Sequence, residues 1–347
     1  MAIKSLAVKY RPITFDDVVE QESIKVILKQ QLDADETKNA YLFCGGAGTG
    51  KTTCARIFAN EINKHQGNPI EMDAASNSSV EDVREIITQA KTKSLDSEYK
   101  VFIIDECHAI SSTGWQAFLK LIEEPPAKSI FIFCTTDPQK IPKTILSRVQ
   151  RYDFQRIGHN NIVKRLTYIV NKEQNVANDF HVVEPEALDY IAKLSEGGMR
   201  DAITLMDKCL AYSADLTIEN VLKALGTVDY ITMIDLASAI IQKDSGKVVS
   251  LIEDVHRSGK DLKQFVKTFM KFMLDVNKYC CLKSFELLDI PIVYINDIEK
   301  LSSDMVSCNK LLCILIKLNS EIKWETMPKA LIEATLLLHC TEENKND

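Results

Sequence analysis

Nowhere in its 347 residues does the chain carry an apolar run of about 18 residues, the length a single helix needs to cross a bilayer. Its longest apolar stretches, such as Phe131 to Cys134 and Leu336 to Leu338, have the length of a strand or a core-helix segment. No signal-peptide pattern opens the sequence, so neither secretion nor membrane insertion is indicated and a cytoplasmic location is expected. The ten cysteines contain no C-x-x-C pair, the usual half of a structural zinc site. Cys280 and Cys281 are adjacent, and the others are scattered through apolar segments such as Leu312-Cys313-Ile314, the pattern of reduced core thiols. Excess positive charge is also missing. A net charge of −7 excludes a protein that coats DNA unaided, so any DNA contact must come from a local basic surface or from aimed helix N-termini. The segment Gln139 to Arg151, with Lys140, Lys143, Arg148 and Arg151 and no acid, offers such a surface. Internal repeats and low-complexity segments are absent, and only about the last seven residues read as a loose acidic tail. What is present, 46% hydrophobic and 26% charged residues, is ordinary for a soluble globular chain of two or three domains.

The first half alternates strand-like with helix-like segments, which predicts an α/β domain on a parallel sheet. Tyr41 to Cys44, Val101 to Ile104 and Ile130 to Cys134 are short apolar runs and read as buried strands. Ile70 and Met72 alternate with polar neighbours, and Arg151 to Phe154 forms a last, alternating strand. Lys51 to Lys64 places Cys54, Ile57, Phe58 and Ile62 at helical spacing, and Ser78-x-x-Glu81 has the spacing of a capping box that opens another helix. From about Gly158 helical periodicity takes over. Ile162, Leu166, Ile169 and Val170 form one stripe; Ala187, Leu188, Ile191 and Leu194 form another. Gly197-Gly198 breaks that second helix and Met199 to Ala211 resumes. Val249, Ile252 and Val255, then Leu262, Val266, Phe269, Met270 and Met273, carry the helical pattern onward. The expected domains are 1–157, α/β; 158–226, small and helical; and 227–347, all-helical.

Gly45, Gly46, Ala47, Gly48, Thr49, Gly50, Lys51 and Thr52 fit G-x-x-x-x-G-K-[ST] and lie between a strand and a helix. Glycines let backbone N–H groups wrap phosphates, and the helix N-terminus adds a favourable dipole. Lys51 is expected to reach the β- and γ-phosphates of ATP and the Thr52 hydroxyl to hold Mg²⁺; Thr53 belongs to the same binding set. The run Val101 to Glu106 ends a strand in two acids beside that loop. Asp105 would orient Mg²⁺ or its waters and Glu106 would polarise an attacking water, which favours hydrolysis over binding alone. At the end of the next strand, in Cys134-Thr-Thr-Asp-Pro138, a hydroxyl could sense the γ-phosphate, with Thr136 or Thr135 the candidate. Arg200, after Gly197-Gly-Met199, puts a cation in a first helical turn against the dipole, at about 0.3–1 kcal/mol, although Asp201 offsets part of this. That placement suggests another task.

Taken together, these residues resemble the γ/τ family of bacterial DNA polymerase III, AAA+ clamp-loader ATPases. The resemblance covers most of the chain. Leu6-Ala-Val-Lys-Tyr10-Arg11-Pro12 with Phe15-Asp-Asp-Val-Val19-Glu-Gln21 is similar to the family's opening segment. Glu71-Met-Asp-Ala-Ala-Ser-Asn77, Leu121-Ile-Glu-Glu-Pro-Pro126, Thr135 to Pro142 and Ile145-Leu-Ser-Arg148 are close to family signatures. Glu196 to Ala202 resembles its sensor-2 segment, and Lys323-Trp324 with Pro328 to Glu333 its last collar helix. The resemblance implies a AAA+ P-loop NTPase domain with a parallel sheet, a helical lid and an all-α collar that mediates oligomerisation. It places Tyr10, Arg11, Pro12 and Val19 around adenine, makes Arg148 a finger acting on ATP of the neighbouring subunit, and lets Arg200 touch phosphate in its own. Asn77, Ser78 and Ser79 would meet DNA at the N-terminus of the family's DNA-tracking helix. The implied partners are the sliding clamp, δ- and δ′-type subunits, primer-template DNA and copies of the chain itself, in an ATP-driven cycle that loads the clamp.

Three departures stand out. The family usually has a four-cysteine zinc module before the Asp-Ala-Ala-Ser loop; Asn60 to Glu71 has no cysteine, its lone His65 reads as a surface residue, and no zinc is expected. Val149 follows Arg148 where the family has cysteine, and Glu20 stands where it has glycine. The chain also stops at the collar, as a minimal γ-like form would. Two alternatives remain within clamp loaders: a small subunit of the eukaryotic and archaeal loader, or a non-hydrolysing scaffold like the δ′ stator, which should have lost its phosphate loop. A Holliday-junction or remodelling motor fits the helical third domain less well.

Overall fold

The computed structural model describes residues 5–77, 79–94, 96–177, 182–225, 230–285 and 287–341. Ser78, the Gly226 boundary and most of the expected acidic tail lie outside the described residues. The chain divides into two compact units, Met1–Phe180 with Ile191–Ala211, and His181–Tyr190 with Tyr212–Asp347.

The first unit holds helices α1 (Leu6–Lys9), α2 (Glu22–Asp33), α3 (Lys51–Ile62), α4 (Val80–Ala90), α5 (Ser112–Glu123), α6 (Lys143–Leu146) and α7 (His159–Ala177). Its strands are β1 (Ala40–Gly45), β2 (Ile70–Asp73), β3 (Lys100–Asp105), β4 (Ser129–Thr135) and β5 (Gln150–Phe154). They form one parallel sheet in the order β2-β3-β4-β1-β5, with Cys44 opposite Thr135 and Ile104 opposite Phe133. That order puts the C-terminal ends of β3, β4 and β1 side by side, where ligands of open parallel sheets bind.

The apolar runs are continuous because both sheet faces are covered, with successive side chains going to opposite faces. Leu42, Phe102, Ile104, Phe131 and Phe133 pack with Val83 and Ile86 of α4 and Trp115 and Phe118 of α5. Tyr41, Phe43, Val101, Ile103, Ile130 and Ile132 pack with Leu28 of α2 and Cys54, Ile57 and Phe58 of α3. Each large apolar side chain so buried contributes roughly 1.5–3 kcal/mol. The rings of Phe118 and Phe133 add an edge-to-face contact with centroids 5.3 Å apart.

The boundary between the units falls within α8 (Pro185–Leu194); α9 (Met199–Tyr212), after the Gly197-Gly198 break, belongs to the first unit as far as Ala211. The second unit continues with α10 (Ile218–Leu225), α11 (Tyr230–Ile241), α12 (Ser245–Arg257) and α13 (Leu262–Leu282). Helices α14 (Ile295–Leu301), α15 (Met305–Glu321) and α16 (Pro328–Thr341) complete it around one apolar core. Two sequence expectations fail here. The buried stripe of α12 is Val248, Ile252 and Val255, at four- and three-residue steps, so Val249 faces outward. On α15, Leu311 and Leu315 take the core face, which turns Cys313 to the surface; Cys281 is exposed as well. Among the described residues, no single helix is long and apolar enough to cross a membrane.

Candidate nucleotide-binding site

The phosphate loop begins where β1 ends. Gly45 pairs with Phe154 of β5 at φ +148°, and a Cβ there would lie 2.5 Å from the Phe154 carbonyl oxygen. Only glycine allows the two strands to stay paired while the chain turns. The loop closes on Gly50, the N-cap of α3 at φ +102°, so the free N–H groups of that helix open onto the loop. Thr49 Oγ1 donates to the Gly46 carbonyl at 2.9 Å. Lys51 is buried, and its Nζ donates to the carbonyls of Gly45 and Gly46 at 2.9 and 2.7 Å. Burial holds its amine below the usual lysine range, against the opposing pull of Glu106 and Asp105.

Facing the loop, Thr52 Oγ1 donates to Asp105 Oδ2 at 2.8 Å, and the Glu106 N–H donates to Asp105 Oδ1 at 3.0 Å. Hydroxyl and carboxylate oxygens are the hard donors that suit Mg²⁺, so these two residues fit such an ion. Glu106 has a left-handed backbone, φ +46°, and its Oε2 accepts from Thr136 Oγ1 at 2.9 Å. The structure thus separates the two threonines. Thr136 stands at Glu106, whereas the fully buried Thr135 hydroxyl accepts from the Asp137 N–H at 3.0 Å and meets His108 Nδ1 at 3.1 Å. His108 Nδ1 also lies 3.2 Å from Glu106 Oε2. Sequence reasoning missed this histidine; its position two residues after Glu106 was the available signal.

A cavity of about 130 Å³ opens beside the loop. Tyr10, Arg11, Pro12, Val19, Gly48, Thr49, Gly50, Lys51, Thr52, Thr53 and Arg200 all line it, as does Arg165 of α7, which the sequence did not single out. Gly45, Gly46 and Ala47 form the loop but do not line the cavity. Tyr10 is fixed by donation of its hydroxyl to Glu173, and Lys9 Nζ reaches the same carboxylate at 2.7 Å. Burial and that carboxylate together push the Tyr10 phenol up to about 12. Arg165 Nη2 donates to the Tyr10 carbonyl at 3.0 Å. At the other wall, the Met199 N–H donates to the Gly48 carbonyl at 3.0 Å and places the first turn of α9, with Arg200, against the loop.

Arg148 is elsewhere. It is exposed, pairs with Glu123 at 2.8 Å and donates to the Thr144 carbonyl at 2.8 Å. The acid-free segment around it is not an open basic surface. Lys140 pairs with Asp137, Arg148 with Glu123 and Arg151 with Asp153, so surface carboxylates from outside the segment pair three of its four cations. The helix start near Asn77 is also shifted by one residue. Ser79, not Ser78, is the N-cap: its Oγ accepts from the Asp82 N–H at 3.2 Å while Asp82 Oδ2 accepts from the Ser79 N–H at 3.0 Å. Asn77 Nδ2 donates to the Asp73 carbonyl at 3.1 Å.

Three family models match the chain: DNA polymerase III delta subunit over residues 70–158, the ATPase lid domain of the DNA polymerase III clamp-loader subunit over 161–215, and domain III of DNA polymerase III subunits gamma and tau over 216–337. The DNA polymerase III subunit gamma of Buchnera aphidicola is 30% identical, over 97% of this chain and 98% of that protein. Subunit tau of Bacillus subtilis is 33% identical over 100% of the chain and 65% of its own length; that of Escherichia coli is 34% identical over 75% and 43%. The chain therefore spans less than two thirds of those two relatives. Among solved structures, the Holliday junction branch migration motor RuvB of Thermotoga maritima superposes with a TM-score of 0.51 at 22% identity, over 67% of this chain and 79% of that one. At that identity the likeness concerns the fold, a P-loop NTPase sheet with helices.

Proposed function

Because the chain belongs to the family of DNA polymerase III gamma and tau subunits, we propose that it is an ATP-driven motor subunit that opens a sliding clamp and loads it onto primer-template DNA. The observation that carries this reading is the junction of Thr52 with Asp105 at 2.8 Å and of Thr136 with Glu106 at 2.9 Å beside a complete phosphate loop. A scaffold subunit has no need of both acids.

In this reading the adenine side of the cavity is formed by Tyr10, Arg11, Pro12 and Val19, and the phosphates lie against the N–H groups of Gly46 to Thr53. Lys51 exchanges its loop carbonyls for phosphate oxygens. Thr52 and Asp105 hold Mg²⁺, which when bound neutralises charge on the phosphate oxygens. Glu106 takes a proton from the attacking water, Thr136 and Arg200 read the phosphate within the subunit, and Arg148 leaves Glu123 to reach the ATP of a neighbouring copy. Asn77, Ser78 and Ser79 are the segment assigned to the DNA backbone, where the N–H groups opening α4 supply donors. The partners are the clamp, δ- and δ′-type subunits, primed DNA and copies of this chain.

Steady-state ATP hydrolysis by the chain with δ- and δ′-type subunits and the clamp, with and without primed DNA, tests the proposal. Stimulation by clamp plus primed DNA is expected, and both Lys51→Ala and Arg148→Ala should abolish it. Hydrolysis indifferent to clamp and DNA would refute the clamp-loading assignment; no hydrolysis in any mixture would favour a scaffold.

A further inference from the structure

We propose that His108 is a positioning residue for the Glu106 carboxylate, an inference that rests on the hydrolytic role of Glu106 given above. Glu106 leaves β3 with a left-handed backbone at φ +46°, and the tight turn Cys107–Ala109 brings the His108 ring back onto the same side chain. One nitrogen, Nδ1, stands 3.2 Å from Glu106 Oε2 and 3.1 Å from Thr135 Oγ1. Were Nδ1 unprotonated it would face a carboxylate oxygen as a second acceptor. The contact is favourable when Nδ1 carries its proton, whose positive end then lies between the Glu106 carboxylate and the Thr135 hydroxyl oxygen. Thr135 anchors the ring in turn: its hydroxyl is fully buried and already accepts from the Asp137 N–H at 3.0 Å.

Glu106 Oε2 thus has two donors with different prospects. The Thr136 hydroxyl, at 2.9 Å, stands at the end of β4 where a phosphate-sensing group belongs, and turning toward phosphate means letting go of Glu106. His108, in the tight turn Cys107–Ala109, is held instead between Glu106 and the buried Thr135. It therefore retains the carboxylate through that exchange and keeps Oε1 directed at the attacking water. Such a residue contributes to the rate of the chemical step and hardly to nucleotide affinity.

The test compares wild type, His108→Ala, His108→Asn, His108→Gln and Glu106→Gln in the full assembly with clamp and primed DNA, measuring kcat, KM and nucleotide affinity. Loss of that polar contact with the carboxylate predicts that His108→Ala lowers kcat severalfold, up to roughly tenfold, with KM and affinity within about twofold of wild type. The asparagine amide nitrogen replaces Nδ1 and should recover most of the rate, whereas glutamine, whose amide sits one bond further out, should not. Adding His108→Ala to Glu106→Gln should slow it no further. A wild-type kcat in His108→Ala, or asparagine no faster than glutamine in variants that melt like wild type, overturns the inference while leaving the ATPase reading intact. If the alanine variant does not fold, the asparagine and glutamine pair decides. A wild-type rate in Glu106→Gln would remove Glu106 as the base and the inference with it.

Discussion

Alanine at Gly45 and alanine at Gly50 separate two reasons for a glycine in the phosphate loop. At Gly50, φ is +102° and a Cβ would meet nothing within 4 Å, so the substitution adds backbone strain alone, about 1–2 kcal/mol. Gly45, at φ +148°, carries comparable strain and a clash in addition. Its Cβ would lie 2.5 Å from the Phe154 carbonyl oxygen and 2.9 Å from the Phe154 Cβ. Phe154 is the register partner of Gly45, so relief requires opening the β1–β5 ladder, and overpacking against atoms that cannot retreat adds about 1–3 kcal/mol or more. The expected losses are about 2–5 kcal/mol for Gly45→Ala and about 1–2 for Gly50→Ala. Urea unfolding without nucleotide measures both, because Trp115 is 3% exposed in the core of the first unit and reports on it, while Trp324, 89% exposed, responds little. Equal losses, or a milder one at Gly45, would refute the account of the turn.

Three further perturbations follow from the same geometry. Burial pushes the thiols of Cys44 and Cys209 up to about 11 and those of Cys54 and Cys308 up to about 12, from an ordinary value of 9.0. Their folded pKa is raised, so the stability they confer is whole below pH 9 and is lost as pH rises toward 11–12, with a slope near 1.4 kcal/mol per pH unit for each thiol that must stay protonated. Urea midpoints that do not fall between pH 8 and pH 10.5 would contradict this. Ser79→Ala removes the N-cap of α4 and should cost about 1 kcal/mol in thermal unfolding, with no loss if the helix starts elsewhere. Glu123→Gln breaks a pair whose side chains are 38% and 42% exposed and should cost less than about 1 kcal/mol; a larger loss of melting stability would make Arg148 a structural residue and not a free finger.

The sheet and the phosphate loop were legible because each has a local signature. Strands covered on both faces read as unbroken apolar runs, and the loop needs its glycines, lysine and threonine in fixed order. What the sequence concealed was assembled across distance. Glu123 lies on α5, and nothing near Arg148 announces it; Asp153 is separated from Arg151 by one strand residue and escapes a search bounded at Arg151. Arg165 reaches the cavity only because α7 packs beside the N-terminal segment. The capping box slipped by one because Ser78-x-x-Glu81 and Ser79-x-x-Asp82 have the same spacing, and only backbone geometry chooses between them. His108 was within reach of reasoning, since side chains two apart share a face at the end of a strand, but only the tight turn Cys107–Ala109 brings its ring close to Glu106.

Glu20 joins these threads. Its φ of +59° lies in the left-handed region that favours glycine, and a glutamate there adds about 1–2 kcal/mol of strain. The side chain compensates: Oε1 accepts from the Gly158 N–H and from Asn161 Nδ2, both at 2.7 Å, and so caps the start of α7 with a negative charge where the helix dipole favours one. The same helix is held further along, where Glu173 takes Tyr10 and Lys9. With Arg165 of α7 on the Tyr10 carbonyl, the N-terminal segment that lines the cavity is thus tied to α7 at three points, and the Leu6 N–H ties it to Asp207 of α9 at 3.1 Å. Helix α9 is in turn bonded to the phosphate loop through Met199 and Gly48. A ligand that displaces any one wall of the cavity must therefore strain the bonds to the others, which is the physical requirement for coupling an occupied phosphate loop to the helices that follow it.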